Sequence, residues 1–558
     1  MPRRNLLDLY REEFRDYSIK NFRSDLVAGL TVGAVALPLA LAFGVASGGS
    51  AAAGLITAIL AGLVIGLLSG APYQISGPTG AMSAVLIVVA QRYGFDAVLL
   101  AGFLSGLILL VIGLLKLGRF IAFVPSAVIT GFTSGIAVII VIGQLDNLLG
   151  ASASAPTHSL LGKLGDYLKD FPTVNFYALL SGLLVMLTMF FWPKCWALRC
   201  PASLVAMVVV SVIAYLFAWP VALVGDIPRT VFLDQRLDLF GLFYSFEHFF
   251  NSINVVLLPA ITIAALGAVE CLLCGAASAK LTGVRLQANQ ELVAQGVGNL
   301  LIPLFGGVPA TAAIARSSVG IQAGGKTRLV SIFHALALLV FVLIFSSVMG
   351  KIPLAALAGV LIITAWRMND WEAIRFIFSR RFYSAIAAFF VTMLATVVLD
   401  LTQAIIIGTV LSGLIFISKI SNIEILIMPV DRQRLKERGL ELVGDCNNIK
   451  VAIITGPLFF AATGSFEESF AKISKGETLI LSLRAMTMID TAGVEVLMRL
   501  HAAIISKGGD LMLAACAPEV RAMLDRSGLS SEIGEQNFFW SGDQAIIEAD
   551  RRSLNSVI

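Results

Sequence analysis

Charge is scarce in this chain of 558 residues. Asp, Glu, Lys and Arg make up 14% of it, hydrophobic residues make up 58%, and the mean hydropathy is +0.88. This composition excludes a wholly soluble protein, because it places most of the chain in membrane lipid. The net charge of +4 is spread along the sequence without a basic stripe, so we expect no nucleic-acid partner.

Residues that bind metals are also few, with 6 cysteines and 4 histidines. Only Cys271 and Cys274 are closely spaced, one turn apart in an apolar run. Because no His or second Cys pair accompanies them, they are predicted to be packing residues rather than a metal or redox pair. The sequence also lacks a nucleotide-binding loop and a catalytic triad. We therefore expect no enzyme activity, no metal and no cofactor.

Fourteen apolar runs follow an amphipathic N-terminal segment, residues 1–24, which suits the inner membrane surface and lacks the features of a cleaved signal. They predict a transmembrane region over 25–420 with fourteen spanning segments. Seven segments in each half, an odd number, invert the second half relative to the first. The runs lie at 25–46, 51–69, 77–90, 97–115, 120–144, 176–192, 201–219, 251–276, 288–304, 310–323, 329–349, 352–366, 383–399 and 402–419.

The basic residues between the runs predict the orientation. Nineteen Lys and Arg residues lie on the side of the N-terminus, and six lie on the other side. By the positive-inside rule, both termini are expected in the cytoplasm of a bacterial-type cell inner membrane.

After the last run the composition becomes that of a soluble domain. Residues 421–436 are predicted as a linker, and residues 437–558 as a cytoplasmic α/β domain. Short apolar strands at 451–455, 478–483 and 511–515 alternate with helical patterns at 491–506 and 519–527. Such alternation is typical of a small layered α/β fold.

Two stretches interrupt the apolar pattern: Ser-Gly-Pro-Thr-Gly-Ala at 76–81 and Gly-Val-Pro-Ala-Thr-Ala at 307–312. Each opens an apolar segment too short to cross a bilayer. Because proline fits the first turn of a helix, each stretch predicts an extended entry followed by a half-helix that begins near mid-membrane. Such a start presents unpaired N–H groups and a positive end. Two of them, in matching places of the two halves, predict the anion site of a transporter.

Charged residues inside the runs are few and therefore informative. Glu270 lies in the eighth run and Arg316 in the tenth. A structural ion pair between them is one interpretation. Because both adjoin the half-helix starts, we favour a functional one, in which Arg316 adds positive charge to the anion site and Glu270 takes a proton or helps to coordinate Na⁺. Glu291, near the membrane surface, is predicted to be structural.

Several motifs occur in a fixed order, and together they resemble the sulfate permease (SulP) family of anion transporters. Near the end of the chain, Asp490-Thr-Ala-Gly493 after a strand resembles a STAS domain, the module shared with anti-sigma-factor antagonists. The membrane motifs are Asp25-Leu-Val-Ala-Gly-Leu-Thr-Val-Gly33, Pro38-Leu-Ala-Leu-Ala-Phe43, Ile75-Ser-Gly-Pro-Thr-Gly80, Ala288-Asn-Gln-Glu-Leu-Val-Ala-Gln-Gly-Val-Gly-Asn299, Thr311-Ala-Ala-Ile-Ala-Arg-Ser317 and Gly324-Gly-Lys-Thr327.

The resemblance implies fourteen helices as seven-plus-seven inverted repeats, with segments 1–4 and 8–11 in a core domain and segments 5–7 and 12–14 in a gate domain. It also implies a homodimer and an elevator-like movement of core against gate. The anion is expected between segments 1, 3, 8 and 10, and Glu270 is expected at the cation-coupling position. The anion-binding residues carried over are Leu39, Phe43, Thr79, Gly80, Thr311, Ala315 and Arg316.

Four positions depart from the family pattern. Phe43 stands where many relatives have Tyr, and Ala315 replaces a Ser found in some animal relatives, which leaves only its backbone N–H. Cys274 replaces a hydroxyl residue that binds Na⁺ in a bicarbonate-transporting branch, and a thiol is a poor ligand for a hard cation. In the STAS domain, Thr491 occupies a position that often holds a phosphorylatable Ser, although capping of the helix N-terminus is the simpler role.

The sequence therefore predicts a secondary anion transporter with a regulatory STAS domain. Sulfate, bicarbonate and C4-dicarboxylates are the candidate substrates, and proton coupling through Glu270 is favoured. The alternatives are a Na⁺-coupled bicarbonate transporter, a nucleobase permease of the same fold, and a membrane-anchored signalling protein whose STAS domain binds a cytoplasmic partner. Arg316 and the STAS domain argue against the nucleobase permease.

Overall fold

A computed structural model describes residues 6–118, 125–151, 160–169, 173–193, 196, 201–238, 246–399, 401–444, 446–471 and 473–555. The chain forms two compact units, Met1–Thr409 and Val410–Ile558. The first part of the chain is helical apart from two short strands, β1 (Ser76–Gly77) and β2 (Thr311–Ala312). The helices up to residue 420 are α1 (Leu6–Phe14), α2 (Ile19–Ala46), α3 (Ala51–Leu60), α4 (Gly66–Leu68), α5 (Gly80–Tyr93), α6 (Phe95–Leu114), α7 (Ser126–Gly143), α8 (Leu145–Leu149), α9 (Leu160–Lys169), α10 (Phe176–Phe191), α11 (Ala202–Leu216), α12 (Phe246–Thr282), α13 (Ala288–Leu301), α14 (Ile314–Gln322), α15 (Leu329–Met349), α16 (Leu354–Met368), α17 (Trp371–Ser379), α18 (Tyr383–Val398) and α19 (Leu401–Ile420).

Every predicted apolar run overlaps at least one of these helices. Among the described residues, six continuous helices are long and apolar enough to cross a membrane. Several further apolar helices have 10–17 residues. The number of fourteen spans therefore stays a prediction. The six longest are Ile19–Ala46, Ala51–Leu68 (which includes a π-helical turn at Ala61–Ile65), Phe95–Leu114, Ser126–Leu149, Ile253–Thr282 and Leu329–Met349.

Close helix packing brings α13 against α6. A Cβ atom on Gly106 would lie 2.6 Å from the backbone N of Leu300, and one on Gly296 would lie 2.6 Å from the backbone N of Leu110. Only glycine permits this approach, which is typical of helices packed inside a membrane. It positions the polar residues of α13 beside the two short strands.

The N-terminal helix α1 is tied to the loop before α15. Arg328 forms an ion pair with Glu13 at 2.8 Å, and its guanidinium lies 4.1 Å from the ring centre of Tyr10. Tyr17 donates a hydrogen bond of 2.9 Å to Asp25. Burial together with this contact to the Asp25 carboxylate raises the pKa of Tyr17 to about 12. The amphipathic segment therefore packs against the protein through its polar residues as well.

The second unit contains a five-stranded sheet in the order β3-β4-β5-β6-β7. The pair β3–β4 is antiparallel and the other pairs are parallel. Alternate residues of β5 point to opposite faces, with Leu481 in one apolar core and Ile480 in the other. The elements are β3 (Glu424–Pro429), α20 (Arg432–Glu437), β4 (Ile449–Thr455), α21 (Thr463–Phe470), β5 (Thr478–Ala485), α22 (Thr491–Ser506), β6 (Asp510–Ala514), α23 (Pro518–Arg526), α24 (Leu529–Ile533), β7 (Phe538–Phe539) and α25 (Gly542–Asn555).

The predicted linker over 421–436 is wrong. Residues 424–429 form strand β3, which pairs with β4 from Glu424 opposite Thr455 to Pro429 opposite Lys450. The strand reads Glu-Ile-Leu-Ile-Met-Pro, so it lacks the alternation of a half-buried strand, and it lies within five residues of the last apolar run. The sheet therefore begins before residue 437.

Candidate anion-binding site

The two interrupted segments meet at an antiparallel pair of short strands. Ser76 lies opposite Ala312 and Gly77 opposite Thr311. Helices α5 and α14 start just after these strands and have 14 and 9 residues. At 1.5 Å per residue they extend about 21 Å and about 14 Å, so neither crosses a hydrocarbon core of ~30 Å alone. The predicted extended entries and half-helices are confirmed.

The position of the prolines differs from the prediction. Pro78 and Pro309 lie before the helices rather than in their first turns, because α5 begins at Gly80 and α14 at Ile314. The extended residue Thr79 is the N-cap of α5. The prolines therefore belong to the extended entries, where a fixed φ angle and a missing N–H are also tolerated.

Polar side chains on neighbouring helices hold the second extended entry. Asn299 of α13 donates to the carbonyl of Ala310 at 2.9 Å and accepts from its N–H at 2.7 Å. Thr57 of α3 accepts a hydrogen bond of 2.7 Å from the N–H of Val308. Neither residue was predicted to have a role. Thr57 could have been found as the single polar residue of the otherwise apolar helix α3, whereas Asn299 is one of several polar residues on α13.

The first extended entry is held in the same way. Ser317 accepts a hydrogen bond of 3.0 Å from the N–H of Ile75. Gln295 donates to the hydroxyl of Ser76 at 2.9 Å, and its amide also donates to Glu291 at 2.9 Å. These contacts satisfy polar groups that would otherwise be unpaired inside an apolar interior. They support the structural role predicted for Glu291.

At the start of α5, the side chain of Thr79 makes two hydrogen bonds. Its hydroxyl oxygen accepts from the N–H of Met82 at 3.3 Å, as an N-cap does. Its hydroxyl group donates to Oε2 of Glu270 at 3.0 Å. Glu270, on α12, is thereby placed directly beside the positive end of α5.

The start of α14 has no side-chain cap, because its N-cap residue is Ala313. The first-turn N–H groups of Ile314 and Ala315 therefore have no acceptor within their own helix. Ala315 is exposed, while Arg316 is only 1% exposed. One guanidinium nitrogen of Arg316 donates to the carbonyl of Pro78. Its Nη1 atom is buried and has no hydrogen-bond partner among the described residues.

The guanidinium of Arg316 requires glycine at position 77, since a Cβ atom there would lie 2.2 Å from Nη1. Arg316 and Glu270 make no direct ion pair among the described residues; each is instead hydrogen-bonded to the segment around Thr79. The structural ion pair considered above is therefore wrong. A buried positive charge remains next to the start of α14.

The other predicted residues lie around these helix starts. A Cβ atom on Gly80 would approach the ring of Phe43 to 3.3 Å, so this ring covers the start of α5. Leu39, one turn earlier on α2, is also buried. Thr311 donates to the carbonyl of Gly267 at 3.2 Å, so its hydroxyl points to α12.

Oxygen ligands for a cation are present at Glu270, Thr79 and Thr311. Cys274, predicted at the coupling-ion site, lies beside them, with its Sγ 3.3 Å from the hydroxyl of Ser317. Among the described residues, no three His, Cys, Asp or Glu side chains lie together as a metal site would need. The oxygen set nevertheless fits a hard monovalent cation better than a transition metal.

A crevice of about 410 Å³ runs along α5, between that helix and α7 and the end of α18. Ser83 and Ile140 are among its lining residues. The Cδ1 atom of Ile140 lies 3.0 Å from where a Cβ on Gly80 would be, so this lining side chain also contacts the start of α5. An ion pair of 2.6 Å between Lys163 and Asp146 lies at its rim.

In the second unit, the predicted capping role of Thr491 is wrong. Asp490 is the N-cap of α22, where its Oδ1 accepts from the N–H of Gly493 at 2.8 Å. The other carboxylate oxygen accepts from the N–H of Phe460 at 3.1 Å. Thr491 is the first helical residue and is exposed. The sequence pair Asp-Thr offered two adjacent candidates for one cap.

Comparisons with known proteins cover both units. The model of the sulfate permease family matches residues 22–393, and that of the STAS domain matches residues 446–545. YvdB of Bacillus subtilis is 32% identical over 544 residues, which are 95% of this chain and 98% of YvdB. The bicarbonate transporter BicA of Picosynechococcus is 33% identical over 421 residues, covering 73% of this chain and 72% of BicA.

Two solved structures show the same fold. The transmembrane domain of a cyanobacterial BicA has a TM-score of 0.60 at 29% identity, covering 71% of this chain and 98% of that domain. Murine solute carrier 26 family member A9, in an inward-facing state, has a TM-score of 0.83 at 18% identity, covering 97% of this chain and 93% of that chain. The predicted fold class, a helical membrane transporter with a STAS domain, is confirmed.

Proposed function

Because the chain belongs to the sulfate permease family, we propose that it is a secondary active transporter of a small inorganic or carboxylate anion, coupled to protons. Sulfate, bicarbonate and C4-dicarboxylates are the proposed substrate classes. The protein is proposed to be a homodimer in the cell inner membrane with cytoplasmic termini. It needs no cofactor for this activity, and its STAS domain regulates it through a cytoplasmic partner.

The observation that carries this proposal is the junction of β1 and β2, from which two helix starts leave beside the buried guanidinium of Arg316. Helix N-termini attract anions through free N–H groups and a positive end. At α14 the backbone N–H groups of Ile314 and Ala315 are free to bind an anion, and Ala315 is exposed. Leu39, Phe43 and Gly80 are proposed to line the site on the side of α2 and α5, and the contact between Phe43 and Gly80 supports this.

Proton coupling follows from the place of Glu270. When ionised, its carboxylate cancels part of the positive field in which the anion is held. Two unit charges held near one another interact by up to a few kcal/mol at an effective dielectric constant of about 20, and each ~1.4 kcal/mol changes an affinity tenfold. Protonation of Glu270 therefore raises anion affinity, and anion binding favours protonation by the same factor. This reciprocal effect is what symport requires.

The crevice along α5 supports an elevator-like movement. It separates α5, in the predicted core, from α7 and α18, in the predicted gate. A core that slides against the gate would open this crevice on one side of the membrane and close it on the other. The hydrogen bonds of Asn299, Thr57 and Gln295 to the extended segments would keep the anion site intact during that movement.

A second candidate is Na⁺-coupled bicarbonate transport, which the 33% identity to BicA favours. The oxygens of Glu270 and Thr79, joined by a 3.0 Å hydrogen bond, could both face a cation if the threonine hydroxyl turned. The sulfur of Cys274 argues against this candidate, since Na⁺ prefers oxygen.

Uptake by purified protein in liposomes tests both candidates. Radiolabelled sulfate, bicarbonate, succinate and fumarate are each offered with an inward proton gradient, an inward Na⁺ gradient, or neither. We expect accumulation of one substrate class only under the proton gradient. Accumulation that requires Na⁺ at constant pH would favour the second candidate, and no uptake of any anion would contradict the proposed function.

A further inference from the structure

We propose that a groove between α11 and α15 is a binding site for one phospholipid, with its phosphate at Lys351 and an acyl chain along the two helices. The groove has a volume of about 460 Å³ and lies away from the anion site. Leu37, Met207 and Met349 form its floor, with exposed fractions of 8%, 2% and 4%.

The walls of the groove are two rows of side chains that are apolar apart from Ser211. On α11 they recur at 204, 207, 208, 211, 212 and 215, and on α15 and the residues after it at 341, 345, 348, 349 and 352. Each row follows one face over twelve residues, that is, eleven steps from the first residue to the last. At 1.5 Å per residue the groove is about 16 Å long, close to half of a ~30 Å hydrocarbon core. It therefore matches the acyl chain of one leaflet.

The charge at one end of the groove fits a lipid phosphate. Lys351 lines that end, and its ammonium group lies 4.4 Å from the ring centre of Tyr215. An aromatic ring and a basic residue are the usual pair at the level of lipid headgroups. The orientation predicted from the basic residues puts this end at the outer surface.

A buried hydroxyl group one turn deeper points to the same ligand. The Oγ atom of Ser211 is buried in the groove lining and has no hydrogen-bond partner in the part of the chain that the structure describes. On the neighbouring helix α10, by contrast, Ser181 donates to the carbonyl of Tyr177 at 2.7 Å. Ser211 lies four residues before Tyr215, about 6 Å deeper. At that depth its hydroxyl can donate to an ester carbonyl of a lipid whose phosphate contacts Lys351.

The site has a consequence that rests on the proposed function. Leu37 on the groove floor is two residues before Leu39, a predicted anion-site residue on α2. Helices α2 and α15 belong to the predicted core and α11 to the predicted gate. A lipid held between them would have to shift whenever core and gate move, so it would slow transport or favour one state.

Photo-crosslinking tests the site without measuring transport. Full-length protein is reconstituted in phosphatidylglycerol liposomes that contain phosphatidylglycerol with a diazirine in one acyl chain, and the labelled peptides are mapped after illumination. We expect labels on both α11 and α15 within the groove. Labels that are no denser there than on the rest of the lipid-facing surface would overturn the proposal.

Four variants sharpen the test. Ser211→Phe fills the groove and should remove most of the labelling, whereas Val209→Phe, a residue of α11 outside the groove lining and 48% exposed, should not. Lys351→Gln should lower labelling roughly fivefold, the effect of one basic residue near anionic lipid. Its control is Arg92→Gln, which removes another cation beside an aromatic ring, that of Tyr93. Equal labelling in Lys351→Gln and Arg92→Gln would overturn the site.

Loss of labelling could also come from a misfolded variant or from a second copy of the chain in the groove, and the experiment distinguishes both from loss of lipid binding. Lys351 is exposed, so Lys351→Gln still decides the question if Ser211→Phe fails to fold. A second copy of the chain seated in the groove is the competing occupant. It would give disulfide-linked dimers through Val212→Cys and exclude the labelled lipid, which would also overturn the proposal.

Discussion

The helix that starts at Gly80 and the helix that starts at Ile314 occupy matching places in the two halves, yet their first turns differ. The first has a threonine cap, and Thr79 links that cap to the carboxylate of Glu270. The second follows Ala313, which has no side chain that can cap it. The carboxyl group of Glu270 therefore lies at the start of α5, while the first-turn N–H groups of α14 have no side-chain acceptor.

The guanidinium of Arg316 adds to this difference. It lies in the first turn of α14, and one of its nitrogens is bonded to the carbonyl of Pro78 while another has no partner among the described residues. Under the proposed function, the uncapped start with the arginine is the anion site and the capped start with Glu270 is the coupling position. The two helix starts differ through a few side chains.

The largest effect is expected from Arg316→Ala, which removes the positive charge from the first turn of α14, the proposed anion site. Charged hydrogen bonds contribute about 1.5–3 kcal/mol, so the apparent affinity for the anion should fall roughly 10- to 100-fold. Initial uptake rates against anion concentration measure this. Arg367→Ala is the matched control, because Arg367 also donates to a backbone carbonyl, that of Met189. Wild-type affinity in Arg316→Ala would contradict the assignment.

Glu270→Gln tests whether the carboxyl group at the start of α5 couples transport to protons. A glutamine oxygen can still accept the hydrogen bond of Thr79, so the helix start should keep its structure while the carboxylate is lost. We expect accumulation driven by a proton gradient to disappear and anion exchange to persist. Glu291→Gln, a change in a buried carboxylate that accepts from Ser69 at 2.6 Å, should lower folded yield without altering coupling. Full proton-driven accumulation by well-folded Glu270→Gln would exclude the proposed role.

Thr79→Phe and Thr79→Ser test the start of α5, where Thr79 is the N-cap: Phe adds volume and removes the cap, and Ser keeps the cap. Ser keeps the cap and the donor to Glu270, so we expect transport within a few-fold of wild type. Phe removes both and fills the space in front of Gly80, so uptake should be lost. If both variants transport like the wild type in liposomes, the start of α5 does not line the pathway.

Adding an N-cap to α14 makes its first turn more like that of α5 and tests whether its open N–H groups bind the anion. Ala313→Ser should stabilise α14 by about 1 kcal/mol through an N-cap, while its hydroxyl occupies N–H groups that the anion would use. We expect anion affinity to fall by several-fold while thermal stability in detergent rises. Unchanged affinity together with raised stability would show that these N–H groups do not bind the anion.

Sequence reasoning predicted the half-helices because a proline among small residues, followed by an apolar run too short to span a bilayer, indicates a helix that begins inside the membrane. It also predicted three strands and two helices of the second unit (β4, β5, β6, α22 and α23), since hydrophobic periods of 2 and 3.6 residues are local properties, but it missed β3 and β7. It missed Asn299 and Thr57, whose importance depends on which backbone groups the fold leaves unpaired. It could not exclude an ion pair between Glu270 and Arg316, because their hydrogen-bond partners, Thr79 and Pro78, lie far away in the chain.

Helix α22 supplies a third helix start, capped by a side chain but outside the membrane unit, and the smallest effects are expected there. Asp490→Ala removes the cap and should cost about 0.5–2 kcal/mol of local stability, visible as faster hydrogen exchange at the start of α22. Thr491→Ala leaves that cap in place, so we expect exchange to be unchanged. A regulatory phosphate on Thr491 would act through its charge, which predicts opposite changes in flux for Thr491→Glu and Thr491→Ala at equal protein level. If both variants transport equally, Thr491 is only the first residue of a helix that Asp490 caps.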